Sequence, residues 1–548
     1  MALEPDSPPI SPPPPRREGI SRSAGTIGAA TLISRIAGFV RDILIARALG
    51  AGLAADAFFV AFAIPALFRN LFMEGALNSS LIPIYTEIRK EEGPEAARRF
   101  SGAVAILVGA FLAVMCLLGV IFSGFLVSVL ASGFRGHPEK FALAVRLTRI
   151  MFPFLFFIGL WAIAAGLLNA ARRFFVPAAT PAIQNVVMIA ALLAAGWLGA
   201  GEDAVYWLAA AVVAGGILQA LCQLPLMVRA GVLPAPAVPW ATPGVMRFLR
   251  LMAPAAFAAA ILHLNSLANR WLASFLQEGA ISYLYYANRL VQFPHGILSL
   301  AVMAAAFPVL SERAAEGRRN QEGAGEGWRR ILAESGKLTL YITLPATFGL
   351  LALAYPIMEV LFQRGAFGPE QTAASAAALR AYALGLVFFG FVRLLSAAFH
   401  TRLDTRYPMR CAYAAVAANI LLSLLLMFPL GFVGLALGTT FSSALNAAML
   451  VRGLRGAGGE WPGEELGRAV RQLLPISAGI GAAAWLAVIL LWPAQASFLV
   501  RALTLLGILS AAVAIYAWLC DAFAPEGRVP WRGLLRLGRR RASTSSGA

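Results

Sequence analysis

The sequence has little charge and little cysteine, and it lacks the short motifs that identify common soluble enzymes. Charged residues make up 13% of the chain, about half of their share in a soluble domain. The four cysteines have no CxxC spacing, the four histidines form no HExxH pattern, and no GxxxxGK(S/T) phosphate loop is present. These absences exclude a soluble enzyme, a secreted disulfide scaffold and a directly ATP-driven pump. They predict no metal and no cofactor.

Hydrophobic residues make up 59% of the chain instead, and they are arranged in long runs. The runs are about 18–25 residues long, which is the length of helix that crosses the hydrocarbon core of a bilayer. We therefore predict an all-α polytopic membrane protein with about 14 transmembrane helices and exclude a disordered chain. The predicted spans are residues 26–48, 55–83, 101–131, 145–170, 177–199, 204–228, 251–275, 282–310, 338–362, 377–401, 407–429, 432–451, 470–492 and 497–521.

The basic residues are divided unevenly between the loops. The chain carries 45 Lys and Arg against 27 Asp and Glu, a net charge of +18. With the predicted spans, 31 of these cations fall on one side of the membrane and six on the other. The positive-inside rule then predicts that both termini are cytoplasmic. Since no basic cluster is interleaved with aromatic residues for base stacking, we expect membrane lipids and no nucleic acid as partners.

Similar segments recur in the two halves of the chain at offsets of 223 to 231 residues, for example around Arg229 and Arg452. The repetition predicts two pseudo-repeated six-helix lobes around a central cavity, a plan that transporters use. Chance alignment of Ala- and Leu-rich helices is the alternative. The predicted divisions are a disordered Pro-rich cytoplasmic tail (1–25), an N-lobe (26–240), a C-lobe (241–456), two extra helices (457–523) and a basic cytoplasmic tail (524–548).

Several arginines fall deep inside the predicted spans, where a charge that faces lipid costs about 2.5–3.5 kcal/mol. They are Arg35, Arg41, Arg69, Arg270, Arg289 and Arg393. Acids in the spans are fewer, so ion pairs can neutralise single arginines but not all of them. Arg35 and Asp42, seven residues apart, fall near one helix face and are expected to share a cavity wall. A wet cavity with surplus positive charge predicts an anionic substrate, and the guanidinium fork suits phosphate or diphosphate.

Four segments together resemble one known family. Residues 34–87, SRIAGFVRDILIARALGAGLAADAFFVAFAIPALFRNLFMEGALNSSLIPIYTE, are similar to the N-terminal signature of the MurJ (MviN) lipid II flippases. YYANRLVQFPHGILSLA, LFQRGAF and AFHTRLDTRYP resemble three further family segments in matching order. The resemblance covers nearly the whole chain after residue 25. It implies membership of the multidrug/oligosaccharidyl-lipid/polysaccharide exporter superfamily and a location in the bacterial inner membrane.

The resemblance also implies a function. Proteins of this family move the undecaprenyl-diphosphate-linked peptidoglycan precursor, lipid II, from the cytoplasmic to the periplasmic leaflet by alternating access. They are not enzymes, and the resemblance implies cell-wall synthesis proteins as partners. The family's cavity arginines match Arg35, Arg41, Arg69 and Arg289, which we predict to bind the substrate, and its extra helices form a groove for the lipid tail. The residues predicted to line or gate the cavity are Ser34, Asp42, Asp56, Glu74, Arg270, Asn288 and Gln292.

Some positions depart from the family pattern. A second arginine often follows the one that matches Arg69, and here it is Asn70. The basic or polar residue often found before the Ile-Pro step is Ala63, and the acids usual beside Arg289 are Asn288 and Gln292. Spans seven and eleven hold no acid of the kind that binds sodium in some relatives, so sodium coupling is not expected. The alternatives left open are an exporter of another polyprenyl-linked glycan or amphiphile, and a non-transporting membrane scaffold.

Overall fold

The described part of the chain is helical and contains no strand. The computed structural model describes residues 17–71, 77–318, 324–456, 461–493 and 495–524, but not the side chains of 17–31, 68–71, 78, 255–262, 264, 297–305, 317–318 and 324. The helices are α1 (Arg17–Leu49), α2 (Leu53–Leu71), α3 (Leu77–Glu91), α4 (Pro94–Ile121), α5 (Ser123–Leu130), α6 (Pro138–Met151), α7 (Phe154–Ala170), α8 (Phe175–Ala179), α9 (Pro181–Trp197), α10 (Ala204–Leu221), α11 (Leu224–Arg229), α12 (Val245–Ala273), α13 (Ala280–Arg318), α14 (Ala324–Phe362), α15 (Pro369–Ala383), α16 (Leu386–Thr401), α17 (Arg406–Gly456), α18 (Gly463–Leu491) and α19 (Phe498–Phe523).

These helices confirm the all-α polytopic class. Among residues described with enough detail for the test, eight helical segments are long and apolar enough to cross a membrane, some of them made of two successive helices such as α6 and α7. The number is nine if the bent pair α15 and α16 counts as one span. The partly described helices α1, α12 and α13 coincide with further predicted spans. The total of 14 spans is consistent with these helices and stays a prediction.

Two breaks in the helices explain how the chain bends within apolar sequence. Helices α15 and α16 meet at 44°. The 51-residue α17 consists of two helices joined at Gly431, whose φ of 57° and ψ of −136° are not helical. This left-handed φ favours glycine because a Cβ would be strained there. The break falls between the predicted spans 407–429 and 432–451, which is consistent with the prediction of two spans in this part of the chain.

The first of two compact units in the chain comprises the described residues of Met1–Leu44, Ile64–Phe122 and Thr148–Ile261. Its helices α4 and α10 pack closely against α7 because small residues face large ones. A Cβ added at Gly159 would lie 2.0 Å from Leu112 Cδ1, and one at Gly216 would lie 2.6 Å from Phe154 Cδ2. Unit 1 therefore depends on glycine for its helix spacing.

The second unit comprises the described residues of Ile45–Ala63, Ser123–Leu147 and Leu262–Ala548. Its central element is α14, which packs against α13, α15 and the C-terminal helix α18. The two C-terminal helices are fixed to α14 by polar contacts: Glu359 accepts hydrogen bonds from Trp492 Nε1 at 3.0 Å and from Arg501. Tyr516 also donates to the Tyr341 carbonyl at 3.0 Å.

The units and the predicted lobes have different boundaries. Residues 45–63 and 123–147 lie in the predicted N-lobe and belong to unit 2. At the N-terminus, the described part of α1 begins at Arg17, within the predicted tail. Residues 1–16 and 525–548 lie outside the described residues. The division into two lobes and two extra helices stays a prediction.

Candidate functional site

In unit 1, Arg41 is held by a hydrogen-bond network. Its Nε and Nη2 donate to Asp42 Oδ1 at 3.0 and 2.6 Å, and its Nη1 donates to Asn185 Oδ1 at 2.9 Å. The Asn185 side chain in turn donates to the Ser34 carbonyl oxygen at 3.0 Å. The guanidinium is therefore bonded on two sides, and Asn185 links α9 to two points on α1.

This network differs from the arrangement expected from residue spacing. Asp42 is fully buried and paired with its neighbour Arg41, whereas Arg35 is an exposed side chain. Spacing along a helix gives the direction of each Cβ, but the long arginine side chain reaches across about 100° of helix surface to its neighbour. Asn185 was not predicted as a site residue; the signal available was its position beside Gln184 in an otherwise apolar span.

Two predicted residues of the second span, Arg69 and Glu74, lie wholly or partly outside the described residues. The backbone of Arg69 is part of α2, but its side chain lies outside the described residues, as does that of Asn70. Glu74 lies outside the described residues altogether. Their predicted roles stay predictions.

In unit 2, Asp56 accepts four hydrogen bonds; we call Asp56, Lys140, Gly279 and Ser282 the Asp56 cluster. Oδ2 accepts from Lys140 Nζ at 2.6 Å and from the Gly279 backbone at 2.9 Å. Oδ1 accepts from the backbone of Ser282 at 2.9 Å and from its hydroxyl at 2.6 Å. Asp56 is 1% exposed and Lys140 5%. One buried carboxylate thus joins α2, α6 and the start of α13.

Lys140 was not predicted as a site residue. It was counted among the six cations on the outer side because it falls in the loop between the predicted spans 101–131 and 145–170. The structure instead buries its ammonium group against Asp56, with the Phe134 ring 4.5 Å away. A buried ammonium needs a carboxylate partner, and that partner is 84 residues away in the sequence, so no local pattern identifies it.

Glycines allow backbone segments to meet next to this cluster. Gly365 has φ +58°, and a Cβ there would lie 2.4 Å from the Arg47 carbonyl oxygen. Ala366 donates its backbone N–H to the same oxygen at 2.9 Å. At Gly50, with φ +66°, a Cβ would lie 2.5 Å from the Ala366 carbonyl oxygen. The two turns come from the residue 34–87 and LFQRGAF segments, so both segments contribute to one backbone contact in unit 2.

The remaining predicted residues lie on α12 and α13 of unit 2. Arg289 is half-buried, while Asn288 and Gln292 are exposed. Arg270 and Asn288 line the same cavity of about 260 Å³. Within the described ranges no group of three or more His, Cys, Asp or Glu side chains is placed to hold a metal ion.

The sequence matches the family model described as lipid II flippase MurJ over residues 45–509. A probable lipid II flippase MurJ of Rhizobium meliloti is 38% identical over 502 residues, 90% of this chain and 91% of that protein. A protein of the same description from Vibrio cholerae is 36% identical over 441 residues, 79% of this chain and 82% of that protein. The lipid II flippase MurJ of Burkholderia cenocepacia is 34% identical, with 80% and 84% covered.

Solved structures show the same family similarity. A lipid II flippase MurJ in an inward closed conformation superposes with a TM-score of 0.73 at 25% identity, covering 90% of this chain and 98% of that one. An inward-facing multidrug resistance MATE family transporter of the MOP superfamily gives a TM-score of 0.62 at 15% identity, covering 79% and 98%. The second likeness concerns the fold alone.

Proposed function

Because the chain belongs to the lipid II flippase MurJ family, we propose that it moves lipid II across the bacterial inner membrane. The substrate passes from the cytoplasmic to the periplasmic leaflet by alternating access, and it supplies peptidoglycan synthesis outside. The positive-inside rule supports a multi-pass protein with both termini in the cytoplasm. The substrate is held by its diphosphate and peptidoglycan headgroup while its tail stays in lipid.

The observation that carries this proposal is the surplus of positive charge inside the spans. The described acids of spans one, two and nine already have cations: Asp42 has Arg41, Asp56 has Lys140 and Glu359 has Arg501. Neither Arg35 nor Arg270 has an ion-pair partner within the described ranges. An arginine within a membrane span is costly without an anion or a polar surrounding. A diphosphate supplies that anion, and its oxygens match the guanidinium fork.

We assign diphosphate binding to Arg35, Arg41, Arg69 and Arg289. For Arg41, the Asp42 carboxylate and the Asn185 amide oxygen occupy the donors that a phosphate would take. When the substrate binds, Arg41 therefore stops donating to Asp42 and donates to the phosphate instead. Asp42 must then accept from another donor. Ser34, Glu74, Asn288 and Gln292 remain assigned to the cavity wall.

Gating is assigned to the Asp56 cluster. Under the proposed orientation, the turn between α1 and α2 faces the periplasm, so the cluster ties three helices together at that end of unit 2. The four hydrogen bonds on one carboxylate hold these helices together. Breaking it is the step that we assign to periplasmic release of lipid II.

The extra C-terminal helices are assigned to the lipid tail. Helix α19 presents large exposed apolar side chains, including Leu503, Leu506 and Trp518. The Glu359 contacts hold α18 and α19 against α14. An apolar surface fixed to a transport unit is suited to a polyprenyl chain.

The proposal is tested in liposomes that contain the purified protein and fluorescent lipid II in one leaflet. Wild-type protein is expected to move the lipid across, and Arg35→Ala to slow transport roughly 10- to 100-fold, the value of one charge-assisted phosphate contact. Arg247→Ala, which removes an exposed pair with Glu87, is the matched control and should transport normally. Transport of another polyprenyl-linked glycan without lipid II, or no transport at all, would overturn the proposal.

A further inference from the structure

Among the described residues, a cavity in unit 2 is lined by polar, aromatic and aliphatic side chains and by no acid. Its volume is about 260 Å³, and its wall includes Arg270 and Asn265 from α12, Asn288 from α13, Tyr382 from α15 and Thr439 from α17. The guanidinium of Arg270 makes no hydrogen bond or ion pair within the described ranges. Its titratable neighbours in the cavity are phenols, Tyr285 and Tyr382. The cavity therefore contains a cation without a counter-charge.

A chain of four side chains fixes which way the amides of this cavity point. Thr439 donates its hydroxyl hydrogen to the Leu435 carbonyl at 3.1 Å, so its oxygen accepts from Asn269 Nδ2, also at 3.1 Å. The Asn269 oxygen then faces Asn419 and accepts from Asn419 Nδ2 at 2.8 Å. Because a carbonyl oxygen cannot donate, the start of this chain decides the orientation of every later amide.

The same amino group of Asn419 sets the orientation of Asn265. It donates its second hydrogen to Asn265 Oδ1 at 2.6 Å, so the NH₂ group of Asn265 lies on the side away from Asn419. That NH₂ group has no partner within the described ranges, and neither has the Tyr382 hydroxyl. The cavity wall thus presents a guanidinium, an amide NH₂ and a hydroxyl, which are all able to donate hydrogen bonds.

We propose that this cavity, the Arg270 pocket, binds an oxyanion of the transported headgroup. That oxyanion is either a carboxylate or a phosphate. A carboxylate or phosphate oxygen is the group that accepts from a guanidinium and from neutral donors at once. The aromatic walls, Phe59 and Tyr382 among them, suit the less polar part of the same ligand. The inference rests on the proposed function for its choice of ligand, but the site itself is defined by unit 2 alone.

The experiment measures oxyanion binding to the purified full-length protein without transport. Inorganic phosphate and acetate are titrated separately at constant ionic strength, and binding is followed by the rise in unfolding temperature. At least one of the two anions should stabilise the wild-type protein. Stabilisation by phosphate indicates a phosphate of the headgroup as the ligand, and stabilisation by acetate indicates a carboxylate. Stabilisation by neither anion would overturn the proposal.

Two variants locate the binding. Arg270→Gln should weaken the binding of the stabilising anion roughly tenfold or more, because it removes the charged donor. Asn265→Asp keeps the oxygen that faces Asn419 and replaces the outward NH₂ by an anionic oxygen, so it should abolish binding with almost no change of shape. Arg380→Gln, on α15 but exposed, is the matched control and should bind as the wild type does. Unchanged binding in both pocket variants would overturn the proposal.

A third variant covers the case in which Arg270→Gln fails to fold. Tyr382→Phe removes one hydroxyl and should weaken binding about 2- to 10-fold; Tyr382→Phe protein that binds as the wild type does would overturn the pocket. The two proposals fail separately. Protein that binds the oxyanion through Arg270 but does not move lipid II contradicts only the proposed function. Protein that moves lipid II with no Arg270-dependent binding contradicts only this inference.

Discussion

Asp42 and Asp56 are both buried carboxylates in the N-terminal part of the chain, but their partners differ. Asp42 accepts from the preceding residue, Arg41, and Asn185 completes that network from a second helix. Asp56 binds no near neighbour; its donors are 84, 223 and 226 residues away. The first arrangement sets the position of one arginine within unit 1. The second joins three segments of unit 2, so the same residue type serves as a local orienting group or as a long-range cross-link.

The largest effect is expected when Asp56 is changed. Asp56→Asn leaves the Lys140 ammonium buried without its carboxylate, which costs about 3–5 kcal/mol. The unfolding temperature of the purified protein should fall strongly, and complementation of a strain that lacks its flippase should fail. Asp56→Asn with Lys140→Met should recover part of the loss because the buried charge is gone.

A charge swap tests whether the Asp56 cluster is more than an ion pair. Asp56→Lys with Lys140→Asp keeps one charge of each sign, but the N–H groups of Gly279 and Ser282 would then face an ammonium. The swap should not restore stability. Full rescue would show that charge alone matters and would contradict the four-bond description.

A smaller effect is expected at Asp42. Asp42→Asn retains one oxygen for Arg41, and Asn185 supplies another acceptor. We therefore expect the free energy of unfolding to fall by about 1.5–3 kcal/mol, the value of a hydrogen bond to a charged group. Because Arg41 loses its counter-charge, its affinity for the substrate diphosphate should rise. Binding of lipid II by the purified variant measures this, with Glu95→Gln on the exposed surface as the control; unchanged binding would contradict the exchange proposed for Arg41.

The smallest effect is expected at Ser282. Ser282→Ala removes the hydroxyl bond to Asp56 Oδ1 but keeps the backbone bond to the same oxygen. The expected loss is about 1 kcal/mol, visible as a modest fall in unfolding temperature with transport retained. A loss as large as that of Asp56→Asn would mean that the hydroxyl, rather than the carboxylate's set of donors, holds the cluster together.

Much of the fold was predictable because hydrophobic length has a direct physical meaning in a membrane. The predicted spans 26–48, 282–310 and 338–362 each fall within one helix, α1, α13 and α14. The predicted break between spans eleven and twelve coincides with Gly431. Helix starts were less predictable, as at Arg17, because polar helical turns continue beyond the apolar run.

The candidate site was predictable in part. The deep arginines and Asp42 stand out because charges are rare in apolar spans, and Asp56 was carried by the family resemblance. Lys140, Asn185 and Asn419 did not stand out, since a lysine at a helix start and amides in a helix are ordinary in sequence. Their importance depends on partners in other helices.

The sequence by itself determined that the chain is a helical membrane protein with more cations than anions inside its spans, because runs of apolar residues and the cost of buried charge are properties of single segments. Only the tertiary structure decided which of those charges are neutralised. Asp56 selects Lys140 rather than an arginine, Asp42 selects its neighbour Arg41, and Arg270 is left facing amides and phenols. Those choices follow from distances between helices, and spacing along one helix does not contain them.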